Sequence, residues 1–403
     1  MLGCPYGLGS VVVTFNRYPT MVTAAQRRLL GLLTGAYFDD IICMDVAATS
    51  QRAKKLGNWL YAMLGTPPKP KKSFPMQAHR PFLGSVPDLS SVDLDGQVVI
   101  APREASRRQV REDIALALST GTMTSGQASK TRGKSGWVAT NSFGRIGRLG
   151  TSVLKELQYR HTGPLTLSQK HILRFHQDLI MQVPSRHIQV VKRHSRRHVV
   201  VYSDAEYAPG SGRQPRLGWV IFEGRQVPHH YAHHPHHNTP KPIGQSMDLP
   251  PYVTDTWGQR HQQIFPAEAA ALPLATWSLA SHLQGADVTW FIDNEAAASA
   301  GIRGASGLPE VDIMMQVAHL LWLHLDMRVW IEWIDTHSNP SDGLSRDGYH
   351  DAWTIRQQWQ LTKPADPPWT EDLQTPQPLF TQLFTDIGRR VRYVGGSGDA
   401  APG

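Results

Sequence analysis

Between His198 and Ile334 the chain alternates strand-like and helix-like runs, and that alternation restricts the possible folds more than any other feature of the sequence. HVVVYSD (198–204) and LGWVIF (217–222) are apolar, β-rich runs separated by the turn-forming APGSGRQP, which predicts a hairpin. After a long loop, Pro266–Leu283 reads as a helix, Val288–Asp293 as a buried strand and Glu295–Gly301 as a short helix. Pro309–Leu325 then reads as a longer amphipathic helix and Arg328–Ile334 as a strand with alternating faces. Elements in that order predict an α/β fold with a mixed sheet and flanking helices.

Two of these strands end in an aspartate, Asp204 and Asp293. Laid side by side and parallel, they bring both carboxylates to one sheet edge, where open α/β sheets bind ligands. Glu268 follows Pro266 in what reads as the first turn of a helix, and Asp342 sits in NPSDG, at a predicted helix start after the last strand. Each acid alone has an ordinary explanation: Asp204 as a strand-end turn residue, Glu268 as an acid complementing a helix dipole, Asp293 and Asp342 as N-caps. Converging on one rim they are unfavourable without cations, because like charges a few ångströms apart raise one another's pKa. Oxygen-only ligands favour Mg²⁺ or Mn²⁺, and two such ions suit in-line displacement at a phosphodiester.

The charge balance agrees with a polyanionic partner. Among 403 residues, 41 Lys+Arg against 33 Asp+Glu leave a net charge of +8. Arg186, Lys192, Arg193, Arg196 and Arg197 concentrate between Pro184 and His198 and are candidate phosphate contacts. With 2 cysteines, Cys4 and Cys43, the chain has neither a disulfide framework nor a thiolate zinc cage. The amino terminus lacks a signal-peptide pattern, and no run of ~18 apolar residues occurs. The expectation is an intracellular protein, cytoplasmic or nuclear, with no membrane partner.

The rest of the chain divides by composition. Residues 1–95 mix short β-rich runs with one helical stretch, and within them LLTGAYFDDIICM (32–44) predicts a hairpin with Asp39 and Asp40 at its tip. Residues 96–165 carry apolar side chains at helical spacing, broken by the Gly/Ser/Thr-rich stretch Ser119–Gly136. Residues 166–197 read as a basic linker, and 351–403 as a partly disordered tail. HHYAHHPHH (229–237) reads as a surface loop.

SDAEYAPG, PAEAAALPLATW, FIDNEAAASA and THSNPSDGLSR resemble the successive active-site segments of type 1 ribonuclease H domains. The form is the one carried by reverse-transcribing retroelements, particularly the DIRS-like group, and the resemblance covers 198–350. It implies two Mg²⁺ ions (or Mn²⁺) bound by Asp204, Glu268, Asp293 and Asp342, and cleavage of the RNA strand of an RNA–DNA hybrid. It further implies that His337 helps activate water or release product, and that Asn339 orients its loop among the nucleic-acid contacts. Pro273 departs from the pattern and predicts a kink in that helix; were the kink to turn Glu268 away, metal binding would suffer.

Tyr37-Phe38-Asp39-Asp40 is similar to the Tyr-x-Asp-Asp signature of the reverse transcriptase palm. PYGLGSVVVTFNRYP (5–19), Lys71-Lys72 and PFLGSV (81–86) are similar to the same family's template-positioning segment, basic loop and primer grip, and GWVATNSFGRIGRLG (136–150) to its thumb and connection. The order implies a truncated palm at 1–95, a helical thumb or connection at 96–165 and a ribonuclease H domain at 198–350. An upstream segment or separate subunit is expected to supply the fingers and the palm's third carboxylate, so this chain alone is not expected to polymerise DNA. Two other readings stay open: a catalytically dead nucleic-acid-binding remnant, and a transposase or integrase on the same scaffold, whose site usually ends in a helical Glu where this chain has Asp342.

Overall fold

The computed structural model describes residues 9–141, 145–160, 163–191, 196–208, 214–224, 240–255, 257 and 263–367. The chain forms two compact units, one of residues 1–100 with 187–191 and one of 101–186 with 192–403. The segments 192–195, 229–237 and 368–403, with the expectations attached to them, lie outside the described residues. Among the described residues no helix is long and apolar enough to cross a membrane.

The first unit begins with α1 (Gly9–Leu30), β1 (Leu33–Tyr37), β2 (Asp40–Met44) and α2 (Ser50–Met63). The valine run of the template-like segment lies inside α1. α1 buries Val22, Thr23 and Gln26, and the Gln26 amide donates to the Gly57 carbonyl of α2 at 3.4 Å. β1 and β2 form the expected antiparallel hairpin, closed by the Tyr37–Asp40 pair. Phe38 takes a left-handed φ of 54° in the turn. β3 (Ser85–Asp88), the short α3 (Val92–Asp95), β4 (Gln97–Pro102) and β5 (Arg186–Gln189) follow, the strands pairing in the order β3-β4-β5; Ala101 and Pro102 at the end of β4 and Arg186 at the start of β5 belong to the second unit.

The second unit opens with four helices, α4 (Glu104–Thr120), α5 (Ser125–Thr140), α6 (Arg148–Tyr159) and α7 (Leu167–Gln182). Two expectations are corrected here. The break within the Gly/Ser/Thr-rich stretch is confined to residues 121–124, because Thr124 and Gln127 form a capping box and α5 runs on from it. Half of the supposed linker is α7, which is capped in the same way by Thr166 and Gln169 and buries Leu173, Phe175, Leu179 and Ile180.

β6 (His198–Glu206), β7 (Arg216–Gly224), β8 (Ile243–Asp248), α8 (Pro251–Thr254), α9 (Ile264–Ser278), α10 (Ala280–Leu283) and β9 (Asp287–Ile292) come next. α11 (Glu295–Arg303), α12 (Pro309–His324), β10 (Arg328–Trp333), α13 (Asp342–Arg346), α14 (Ala352–Arg356) and β11 (Gln360–Leu361) complete the unit. The six-stranded sheet has the order β10-β9-β6-β7-β8-β11. β6 runs parallel to β9 and antiparallel to β7, and β10 runs parallel to β9, so the sheet is mixed as expected. β8 lies where a loop was expected, and β11 ties part of the expected tail to β8.

Alternation along β6, β7 and β9 sends Val199, Val201, Trp219, Ile221, Val288 and Trp290 to one buried face. α9 packs on β6 and β7, and α12 packs on α9. A single apolar cluster joins these residues to Val110, Leu154, Leu173 and Val183, so α4–α7 and the sheet share one interior.

Candidate active site

The register of the adjacent parallel strands β6 and β9 pairs Ser203 with Ile292. The next residue on each strand is an aspartate, so the parallel pairing sets Asp204 beside Asp293 at the carboxyl edge. Asp293 is not the cap of α11: Asn294 takes that role, its Oδ1 accepting from the Ala297 N–H at 3.0 Å. The Asp293 side chain is thereby left for the edge.

Glu268 comes from α9, which starts at Ile264, so the acid lies beyond the first turn and does not serve as a dipole complement. Ala267, Ala269, Ala270, Ala271 and Ala275 are fully buried around it, and their small side chains let the helix lie close on the sheet. α9 continues through Pro273, and the proline does not divert Glu268 from the site. Glu268 is 2% exposed; its Oε1 accepts from the Ala205 N–H at 3.2 Å, and its Oε2 is buried without a hydrogen-bond partner among the described residues. Ligand oxygens of Asp204, Glu268 and Asp293 lie within 4.8 Å of one another.

Asp342 is the first residue of α13, with Ser341 before it as the cap. It lines the same cavity, of about 370 Å³, as Asp204, Glu268 and Asp293. Arg346 also lines that cavity, and its guanidinium lies 2.8 Å from the Asp342 carboxylate. The structure therefore gathers three acids tightly and sets the fourth on the rim.

Two residues that the sequence reading missed shape this arrangement. The Ser345 hydroxyl donates to Asp204 Oδ2, and α13 can approach that closely because β7 has Gly218 opposite Asp204. A Cβ on Gly218 would lie 2.5 Å from the Ser345 backbone nitrogen. The signal for Ser345 was its position three residues after Asp342, one helical turn along. Gly218, inside an apolar strand, was the signal for a close backbone approach.

The electrostatics follow from burial. Burial first, then the Asp293 charge, pushes Asp204 up to about 7, against the Ser345 hydrogen bond, which favours the ionised form. Glu268 is raised well above its ordinary value by burial and then by Asp204 and Asp293. Burial also raises Asp342, opposed by the adjacent Arg346. Two buried carboxylates and a half-buried third, one oxygen without a partner among the described residues and an oxygen-only donor set fit a hard divalent cation.

The other expected site residues fall elsewhere. His337 is exposed in the turn before α13 and does not line the cavity, although its neighbour Thr336 does. Asn339 is 5% exposed, so it is no nucleic-acid contact. Its side-chain amide donates to the Ser203 carbonyl at 3.1 Å and its Oδ1 accepts from the Ser341 N–H, which pins the loop to β6 one residue before Asp204.

Arg196 and Arg197 precede β6, about 26 Å of extended chain from Asp204. They are engaged there, Arg196 with Asp287 and Asp326 and Arg197 with Glu223. Lys192 and Arg193 lie outside the described residues, and Arg186 is exposed at the start of β5. Tyr37, Asp39 and Asp40 are exposed on the hairpin of the first unit, and neither aspartate belongs to a cluster of three or more possible metal ligands among the described residues.

No family model matches the sequence, and no curated protein matches it significantly. Among solved structures, the chain is similar to RNase H1 from the halophilic archaeon Halobacterium salinarum NRC-1 at 17% identity, over 38% of this chain and 99% of that one, with a TM-score of 0.28. It is also similar to a foamy viral protease-reverse transcriptase in complex with RNA/DNA hybrid, at 12% identity with a TM-score of 0.30. That likeness covers 86% of this chain and 62% of the viral one.

Proposed function

We propose that the chain is a metal-dependent endoribonuclease that cuts the RNA strand of RNA–DNA hybrids. The observation that carries this reading is the gathering of Asp204, Glu268 and Asp293 at the carboxyl edge of the sheet, with Asp342 on the rim of the same cavity. Hybrid as substrate, a retroelement reverse transcriptase of the DIRS-like group as the source, and Tyr37, Asp39 and Asp40 as a palm remnant rest on the sequence resemblance. Two Mg²⁺ ions, with Mn²⁺ as a substitute, are the proposed cofactors. Bound there, they supply Lewis acidity at the phosphodiester and an acidified water.

The protein's part is to hold and neutralise. Asp204 and Asp293 offer adjacent oxygens from neighbouring strands, and Glu268 offers the oxygen that has no partner among the described residues. Ser345 fixes the rotamer of Asp204, and Asn339 fixes the loop that delivers Asp342. RNA is told from DNA by its 2′-hydroxyls. The deciding assay incubates the protein with labelled RNA–DNA hybrid, RNA duplex and DNA duplex in Mg²⁺, Mn²⁺ or EDTA. Cleavage confined to the hybrid's RNA strand and abolished by EDTA is expected. Hybrid bound but uncut in both metals would replace this reading with that of a binding protein.

Metal and protons compete for the same oxygens. With Mg²⁺ at a hundredfold excess over its Kd, stabilisation of about 2.7 kcal/mol should raise the melting temperature by roughly 3–5 °C at pH 8. At pH 5, where Asp204 still holds its proton, the rise should be clearly smaller. Thermal melts with and without Mg²⁺ at the two pH values check this, and an equal rise at both would contradict cation binding at these carboxylates.

A further inference from the structure

α11 runs from the carboxylate site toward a group of arginines that the proposed reaction does not use. Gly304 caps the helix in a left-handed conformation with φ 72°. A Cβ there would lie 3.0 Å from Arg145 Cβ and 3.3 Å from Arg148 Cγ, so the glycine lets the start of α6 sit against the end of α11. Arg303 occupies the last turn of α11, its Nε donating to the Ser299 carbonyl.

Most other arginines around the sheet answer a carboxylate. Arg196, Arg197, Arg216, Arg328 and Arg346 all pair with acids. Among the described residues Arg145 does not; its charged neighbours are Arg148 and Arg186, and burial together with these two lowers its pKa. Gathering like charges without an acid costs free energy in the isolated protein, and an anion relieves it. α6 adds the positive end of its dipole, with no side chain among the described residues capping it.

We infer that Arg145, Arg148 and Arg186, with Arg303 beside them, form a contact site for the phosphodiester backbone of the duplex whose RNA strand lies at the carboxylates. The inference rests on the proposed hybrid substrate and adds where the duplex is gripped. From Asp293 to Gly304 is about 16 Å along the helix at ~1.5 Å per residue. One turn of duplex, about 34 Å, spans both places. A purely structural role for these arginines, complementing the carboxyl end of α11, predicts lower stability but no change in how binding responds to salt.

The experiment titrates a labelled RNA–DNA hybrid in EDTA, where no cutting occurs, over a series of KCl concentrations. Wild type, the single variants R145A, R148A and R186A, and the triple variant are compared, with circular-dichroism melts to confirm folding. Removing one arginine–phosphate pair should flatten the slope of log K against log[salt] by about 0.9, so the triple variant should drop about 2–3 units and bind more than tenfold more weakly at about 0.1 M salt. If the triple variant does not fold, the singles still report a change of about 0.9 each. Unchanged slopes in the folded variants, or no hybrid binding by wild type, overturn the inference. Wild type that binds through these arginines but does not cut would leave the inference standing and sink the nuclease reading. Wild type that cuts while the variants keep its slope would do the reverse.

Discussion

Asp204→Asn should lower hybrid cleavage in Mg²⁺ by about 10³-fold, equivalent to ~4 kcal/mol of transition-state stabilisation, while the protein stays folded. Asparagine keeps the shape of the side chain and can still accept the Ser345 hydrogen bond, but it removes a charge from the middle of the cluster. The same variant carries a signature in stability. Asp204 in the folded protein has a pKa raised to about 7, against 3.8 for an ordinary aspartate. Below about pH 4 the aspartate is protonated in both folded and unfolded states and costs nothing. Between there and about pH 7 the unfolded chain releases its proton first, so stability falls as pH rises, up to a ceiling of about 4 kcal/mol. Asparagine has no such cost. Measured by urea denaturation in EDTA, D204N should gain on wild type as pH rises through this window and level off above it. Full cleavage by D204N would refute the catalytic assignment, and a stability gap that does not change with pH would refute the electrostatic one.

Gly218→Ala should unsettle both fold and site. Its new Cβ would lie 2.5 Å from the Ser345 nitrogen and 2.7 Å from the Leu344 carbonyl carbon, and these are backbone atoms that cannot swing aside. α13 has to lift from β7, which takes Ser345 from Asp204 and moves Asp342 on the rim. The expected cost is about 2–3 kcal/mol, the range of overpacking in a closed interior, with at least a tenfold loss of cleavage. Gly126→Ala is the control. That glycine sits exposed in the first turn of α5 with open space around its would-be Cβ, so the exchange should stabilise the helix by at most about 0.5 kcal/mol. Denaturation curves and initial rates on the two variants separate the effects. If G218A were as stable and as active as G126A, the close approach of α13 would not matter.

The legible parts of the chain were those where burial leaves an apolar imprint. β6 and β9, covered on at least one face, read as apolar runs that stop at Asp204 and Asp293, and the strand–helix order set their neighbours. α5 was not legible because its inward positions, Ala128, Thr131, Ser135 and Val138, have helical spacing but small or polar side chains. In α1, Val12 and Val13 are β-formers by propensity, yet they lie exposed on a helix. The Glu268 position survived the predicted disturbance from Pro273 because the helix is held along its length by buried alanines and leucines. Contacts that depend on backbone proximity, such as Gly218 against Ser345, leave a single glycine as their only trace. The basic stretch near 196–197 was legible as charge, but charge does not say whether its partner is internal. For Arg196 and Arg197 it is Asp287, Asp326 and Glu223.

The interior shared by α4–α7 and the sheet bears on how such a protein can change over evolutionary time. A recombination breakpoint between Gln182 and His198 would strand Leu154 and Leu173 on one side and Val199 and Trp290 on the other, each deprived of part of the cluster that shields them. The helices and the sheet must therefore be inherited, exchanged or discarded together, as one heritable block.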